Sequence, residues 1–250
     1  MTTFVLKLLL MPPLIGLVTL ATRRWGATLG GWLAGLPWVA GPISIFLALE
    51  QGPVFTARAA VPALAAVLGI LGFCRVYVAL SPRFGWAVCS LAGYTVYLGV
   101  ALLLRFLPLN LYLVYGVVLV AIALTLQTFP HPPAQPHRPA PGFDLPLRMA
   151  VATLFVLGVT KAADWLGPAW SGLLTPFPIM TSILAAFTHQ QQGWRVSARL
   201  LRGLLGAMFG FATFLFGVGW GLPDHSIALT YTLATLANVG VNGLAWQWLR

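Results

Sequence analysis

The sequence predicts an all-α protein that crosses a membrane several times. Of its 250 residues, 59% are hydrophobic and only 7% are charged, whereas a soluble domain carries about 25% charged residues. The apolar runs are about 20 residues long, which fits transmembrane helices and does not fit the alternating ten-residue strands of a membrane barrel. In a bilayer every backbone polar group has to be satisfied internally, and a helix does this within one segment.

Hydropathy and turn residues divide the chain into about nine predicted transmembrane helices. Prolines and charged residues mark the boundaries, as in the turn Ser81-Pro82-Arg83. The predicted helices cover residues 4–21, 27–49, 58–80, 84–104, 109–128, 147–166, 168–188, 197–219 and 226–248. Residues 130–146, rich in Pro and His, are the one long polar stretch and are expected to link two halves of the protein.

The distribution of Lys and Arg predicts the orientation, because cytoplasmic loops collect positive charge. Nine spans with the N-terminus outside leave few basic residues on the outer side, namely Lys7, Arg58, Arg105 and Lys161. The cytoplasmic side then receives Arg23, Arg24, Arg75, Arg83, Arg138, Arg148, Arg195, Arg199, Arg202 and Arg250. We therefore expect a multi-pass protein of the cell inner membrane, with a cytoplasmic C-terminus.

The two halves of the chain resemble each other. Trp32, Leu36, Ser44, Ile45 and Ala48 recur in the same order as Trp170, Leu174, Ser182, Ile183 and Ala186, and Gly52, Ala57 and Arg58 recur as Gly193, Ala198 and Arg199. These matches predict a first repeat of four helices in residues 1–106 and a second in residues 147–250. The fifth helix and the polar loop, residues 107–146, connect them. Because one extra helix separates the copies, the second repeat is expected to be inverted in the membrane.

Each repeat has a predicted helix interrupted by two prolines, and these two helices are the second and the seventh. A proline removes a backbone donor and clashes with the preceding turn, so paired prolines leave main-chain groups unpaired. Such groups are tolerated inside a membrane where protein, water or a ligand satisfies them. Interrupted helices at matching positions of inverted repeats are typical of the binding site of secondary transporters, which this architecture resembles in general.

The candidate binding site consists of the residues around these two breaks, between 35 and 42 and between 172 and 178, with hydroxyl and amide side chains nearby. Its predicted members are Gly35, Pro37, Gly41, Pro42, Ser44, Thr175, Pro176, Pro178, Thr181, Ser182, Asn238 and Asn242. The alternative is a pair of kinked helices that pack tightly and bind nothing. Asn238 and Asn242 could equally bond to neighbouring helices, and Glu50 and His189, at the ends of the broken helices, fit either gates or solvated helix ends.

Several other functions are disfavoured. The basic residues are dispersed and form no basic face for nucleic acid. A zinc-binding His-Glu-x-x-His helix and a pair of mid-membrane aspartates are both missing from the sequence, so we expect no enzyme, no metal and no cofactor. Cys74 and Cys89 are interpreted as thiols that pack between helices. No acidic residue lies near the centre of a predicted span, which disfavours a proton or sodium relay on a buried carboxylate.

The sequence thus favours a secondary transporter or permease for a small neutral or anionic solute bound between the broken helices. The alternative is a membrane subunit or assembly factor that transports nothing; an intramembrane enzyme is a weaker alternative. The expected partners are the lipid bilayer and a small-molecule solute. Nothing in the residue pattern distinguishes a monomer from a homo-oligomer.

Overall fold

The computed structural model describes residues 2–133, 143–166 and 177–249. The fold is 84% helical, and the described residues form ten helices and no strand. In chain order the helices are α1 (Thr2–Trp25), α2 (Ala27–Ala34), α3 (Ala40–Glu50), α4 (Pro53–Leu80), α5 (Trp86–Leu104), α6 (Leu111–Thr128), α7 (Asp144–Leu166), α8 (Ile179–Gln192), α9 (Trp194–Gly221) and α10 (Ile227–Leu249).

Five helices of the described chain are long and apolar enough to cross a bilayer. They are α4, α5, α6, α9 and residues Ile227–Gln247 of α10. The chain is therefore an integral membrane protein by length and composition of its helices. The number of helices differs from the nine predicted, because the segment 27–49 forms two short helices, α2 and α3, in place of one.

Helix α9 lies at the centre of the fold and packs against α2, α4, α6, α8 and α10. Its side chains Leu200, Leu201 and Leu205 are fully buried. Glycines allow α2 to approach α9 closely, as expected of small residues at helix crossings. A Cβ atom on Gly31 would overlap the carbonyl of Leu200, and one on Gly203 would overlap main-chain atoms of α2. The two backbones therefore touch along this crossing.

Contacts along the helices give their relative directions. Arg23 at the end of α1 bonds to Asp144 at the start of α7, and Gly16 lies beside Met149 further along, so these two helices are antiparallel. Gly219, near the end of α9, packs against Ala60, near the start of α4, so α4 and α9 are antiparallel as well.

Helix α6 also runs against α9. The Tyr115 and Thr213 hydroxyls are 3.0 Å apart, and Arg202 Nη1 donates to the carbonyl of Leu126 at 2.9 Å. The Tyr115 ring stacks on Phe216 of α9, with ring centroids 4.3 Å apart. Since α6 contacts both α4 and α9, it fills the groove beside the central pair.

Two of the long helices start in the same way. Both α4 and α9 have 28 residues, and each follows a glycine with positive φ, Gly52 at 92° and Gly193 at 88°. Glycine adopts this conformation at no steric cost, so the chain can leave the preceding short helix and turn directly into the long one. These glycines are among the matched residues of the two halves.

Candidate functional site

The first half of the candidate site is the break between α2 and α3. The chain leaves the helix at Gly35 and enters α3 at Ala40, so the interruption lies within the predicted stretch 35–42. The Trp38 amide donates to the carbonyl of Leu36 at 2.8 Å, and the Trp38 indole Nε1 donates to that of Leu33 at 2.8 Å. The Trp38 indole thereby supplies a donor to the carbonyl of Leu33, whose helical donor would have been the missing amide of Pro37.

The break leaves donors free at the start of α3. Val39 is the N-cap residue and no side chain caps this end of the helix. Gly41 donates its amide to Pro37 at 2.8 Å, whereas the amides of Val39 and Ala40 have no backbone acceptor among the described residues. Unpaired amides at a helix N-terminus favour a hydrogen-bond acceptor beside them.

The second half of the site is the start of α8. Thr175 and Pro176, together with most of the predicted break 172–178, lie outside the described residues. Pro178 is the N-cap of α8, again without a side-chain cap. Ser182 Oγ donates to the carbonyl of Ile179 at 3.0 Å, and in α3 the matched Ser44 Oγ donates to that of Gly41 at 2.8 Å. The two serines occupy the same local geometry.

A cavity of about 290 Å³ lies where these two segments meet. Helices α4 and α9 complete its walls. Its lining residues are Ala34, Gly35, Leu36, Val39, Ala40, Ile43, Ser44, Leu47, Thr56, Ala59, Ala60, Ala63, Ile70, Phe177, Pro178, Ile179, Met180, Thr181, Met208, Phe211, Leu215 and Val218. Among the described residues the lining carries no charged side chain, and its polar side chains are the hydroxyls of Ser44, Thr56 and Thr181. An apolar wall with a few polar groups is typical of small-molecule sites.

Four of the predicted site residues line the cavity: Gly35 and Ser44 from the first half, Pro178 and Thr181 from the second. Pro37, Gly41, Pro42 and Ser182 belong to the same two segments but are not part of the lining. Gly41 packs toward the Phe214 ring of α9.

Asn238 and Asn242 lie elsewhere. Both are buried, and Asn242 Nδ2 donates to Asn238 Oδ1 at 2.8 Å. The pair packs on Gly210 of α9, where a Cβ atom would overlap the Asn242 amide. Their bond lies within α10, and the pair packs against α9, away from the cavity lining.

Sequence reasoning missed the walls that α4 and α9 supply. Ala60, Ala63, Met208 and Phe211 look like any other apolar residue of a transmembrane helix, and no spacing distinguishes them. An aromatic group beside the cavity was missed too. Phe177 lines the cavity and lies 5.0 Å from Tyr94 and 5.4 Å from Tyr97, measured between ring centroids.

A polar cluster surrounds the other end of α8. Asp144 is fully buried and accepts from Arg148 Nε at 2.9 Å and from Arg23 Nη2 at 2.5 Å. Gln191 Nε2 donates to Asp144 and Gln191 Oε1 accepts from Arg148 Nη2 at 3.0 Å. Although burial raises the pKa of Asp144, the bonds from Arg148, Gln191 and Arg23 outweigh it and hold that pKa below its usual value.

The described residues contain no group of three or more His, Cys, Asp or Glu side chains that could hold a metal ion. Cys74 and Cys89 are free and buried. The chain matches no protein-family model, and no curated protein and no solved structure is significantly similar to it. The cavity and its surrounding helices are therefore the basis for a functional assignment.

Proposed function

We propose that the protein is a secondary transporter or permease of the cell inner membrane that binds a small solute in the cavity between α3, α4, α8 and α9. The cavity of about 290 Å³, lined by both matched segments, carries this proposal. A carrier needs a site within the membrane whose walls belong to elements that move relative to each other. Short helices such as α3 and α8 meet that need better than long continuous ones.

An inverted repeat of two four-helix units is part of the proposal. The antiparallel pairs α1 with α7 and α4 with α9 support it, since helices related by an axis in the membrane plane run in opposite directions. Cross-contacts between the halves support it as well. Helix α5 packs against α8, and α10 contacts α3.

Between a neutral and an anionic solute, the lining favours the neutral one. A buried charge without a partner is costly, and the described residues of the lining include no Lys, Arg or His. The free amides of Val39 and Ala40 provide two donors for an acceptor such as a carbonyl or hydroxyl oxygen. We therefore expect a solute with an apolar body and a single polar end.

A cavity-filling variant tests the proposal. Ala63 lines the cavity and is half-buried. In proteoliposomes given a panel of uncharged metabolites and a matched panel of carboxylates, we expect uptake of an uncharged compound, measured by mass spectrometry. Ala63→Phe should lower that uptake by about tenfold or more, because a filled cavity excludes the solute.

The matched control is Ala237→Phe, which adds the same ring to an exposed position of α10. It should leave uptake unchanged. Equal uptake in the wild type and the Ala63→Phe variant would remove the cavity from the transport path. Uptake no higher than in empty liposomes, together with a stoichiometric partner protein on purification, would favour the non-transporting subunit.

A further inference from the structure

We propose that the polar cluster at the C-terminal end of α8 is the gate that closes the cavity on one face of the membrane. The cluster consists of Arg23, Asp144, Arg148 and Gln191, and we call it the α8 lock. This inference rests on the proposed transport function and concerns the regulation of access to the same cavity.

The α8 lock joins three helices that are distant in sequence. Arg23 belongs to α1, Asp144 and Arg148 to α7, and Gln191 to α8. Asp144 and Arg148 are buried, with 0% and 3% exposure of their side chains. A buried carboxylate that loses its partners is strongly destabilised, so the arrangement has two states, bonded or solvated. That property suits a gate.

Two further contacts hold the same end of α8. The Tyr77 hydroxyl of α4 lies 3.2 Å from His189 Nδ1. The Arg148 guanidinium lies over the Phe187 ring, 5.1 Å from its centroid. Helix α8 is thus fastened on two sides, to α7 by Gln191 and Phe187 and to α4 by His189.

Helix α8 connects the lock to the cavity. Its first turn, with Ile179, Met180 and Thr181, lines the cavity, and its last turn carries His189 and Gln191. From Ile179 to Gln191 is about 18 Å at 1.5 Å per residue. A rigid helix of this length transmits a movement at one end to the other. Release of the lock therefore lets α8 swing away from the cavity.

The cavity lies toward the opposite face. On α9 its lining runs from Met208 to Val218, which ends within a turn of the helix end at Gly221, whereas the lock end of α9 starts at Trp194. Met208 is about 21 Å along α9 from Trp194. At the opposite face, Glu50 ends α3, is exposed, and has no ion pair among the residues that the structure describes. The ion pairs of Asp144 thus lie on one face of the protein, and the cavity lies toward the other.

Cysteine labelling tests the gate without requiring transport. The background carries Cys74→Ala and Cys89→Ala, and Ser44→Cys reports on the cavity. Arg195→Cys in the same background marks the lock face, because Arg195 is exposed in the first turn of α9. A membrane-impermeant maleimide is applied to intact cells and to inverted vesicles, and the preparation that labels Arg195→Cys exposes the lock face.

With the lock intact, Ser44→Cys should react slowly from the lock face. Asp144→Asn leaves the two guanidinium groups without their carboxylate, and we expect labelling from that face to become about tenfold faster. The matched control is Arg75→Ala, which removes a cation of the same face that bonds to Thr128 of α6 and not to α8. It should leave the labelling rate unchanged. Equal rates in Asp144→Asn and the background would overturn the gate.

If Asp144→Asn does not fold, the double variant Gln191→Ala with Tyr77→Phe serves instead, because it removes the side-chain bonds of α8 and keeps the buried ion pairs. It should also make labelling of Ser44→Cys from the lock face faster, and an unchanged rate would again overturn the gate. Solute uptake with no labelling change would reject the gate and keep the transporter. A labelling change in a protein without uptake would keep the gated cavity and reject the transporter.

Discussion

At the scale of single residues, the glycine contacts between α2 and α9 are among the tightest in the described part of the chain. Gly31 and Gly203 leave no room for a Cβ atom because main-chain atoms of the facing helix occupy that space. Gly35 is limited by Ala207 and the carbonyl of Leu204. These glycines place the end of α2, and hence the break, against α9.

Gly31→Ala tests this constraint. The helices must separate to admit the methyl group, and we expect the free energy of unfolding to fall by about 1–3 kcal/mol. The control is Gly99→Ala in α5, where the position is exposed and nothing lies within 4 Å. It should raise stability by up to about 1 kcal/mol through helix propensity. Unfolding in mixed detergent measures both, and equal effects would contradict the close crossing.

The residues that could be predicted for the site are those that disturb a helix. Gly35 and Pro178 interrupt the apolar runs, and Ser44 and Thr181 are polar residues within them. Each can therefore be recognised in the sequence. Asn238 and Asn242 can be recognised in the same way, but their side chains bond to each other where they pack against Gly210. A polar side chain in a membrane helix needs a partner, and the sequence does not show whether that partner is a ligand or a neighbour.

At the scale of helices, boundaries follow from turn residues better than from hydropathy. α4 begins at Pro53, five residues before its predicted start, because proline fits the first turn of a helix, where its missing amide is not needed. The helix then continues through Pro62. α2 and α3, in contrast, separate at Pro37, where Gly35 precedes the proline and Trp38 caps the carbonyl of Leu33.

Pro37→Ala tests whether the break matters for function. Alanine restores a backbone donor and favours a continuous helix, so the free amides beside the cavity should become paired. We expect loss of solute uptake with retained folding, measured by flux and by circular dichroism. Pro62→Ala is the control, because that proline is exposed in an unbroken helix. Normal uptake in both variants would make the break a packing feature.

At the scale of the whole molecule, four arginines with hydrogen bonds to other helices lie toward one face. Arg75 donates to the carbonyl of Thr128 and Arg202 to that of Leu126, at the end of α6, while Arg23 and Arg148 meet at Asp144. All four were assigned to the cytoplasmic side from charge bias. The central position of α9 could not be predicted, because hydropathy does not reveal which apolar helices pair in a bilayer.

The predicted orientation is tested by reporters fused after Arg250. A C-terminus in the cytoplasm should give activity with a cytoplasmic reporter such as a fluorescent protein and none with a phosphatase that needs the periplasm. The positive-inside bias is the physical reason. Activity of the phosphatase alone would invert the topology and would place the α8 lock on the outer face.

The close crossing of α2 and α9 has a consequence for how the chain is made. α2 and α3 are about 12 and 17 Å long at 1.5 Å per residue, too short to cross a hydrocarbon core of about 30 Å alone. Their shared break exposes amides that lipid cannot satisfy. The break packs against α9, and α9 is synthesised only after more than half of the chain. Before α9 is made, the break therefore has no α9 surface to pack against, and we expect the segment to reach its final position only late in biogenesis.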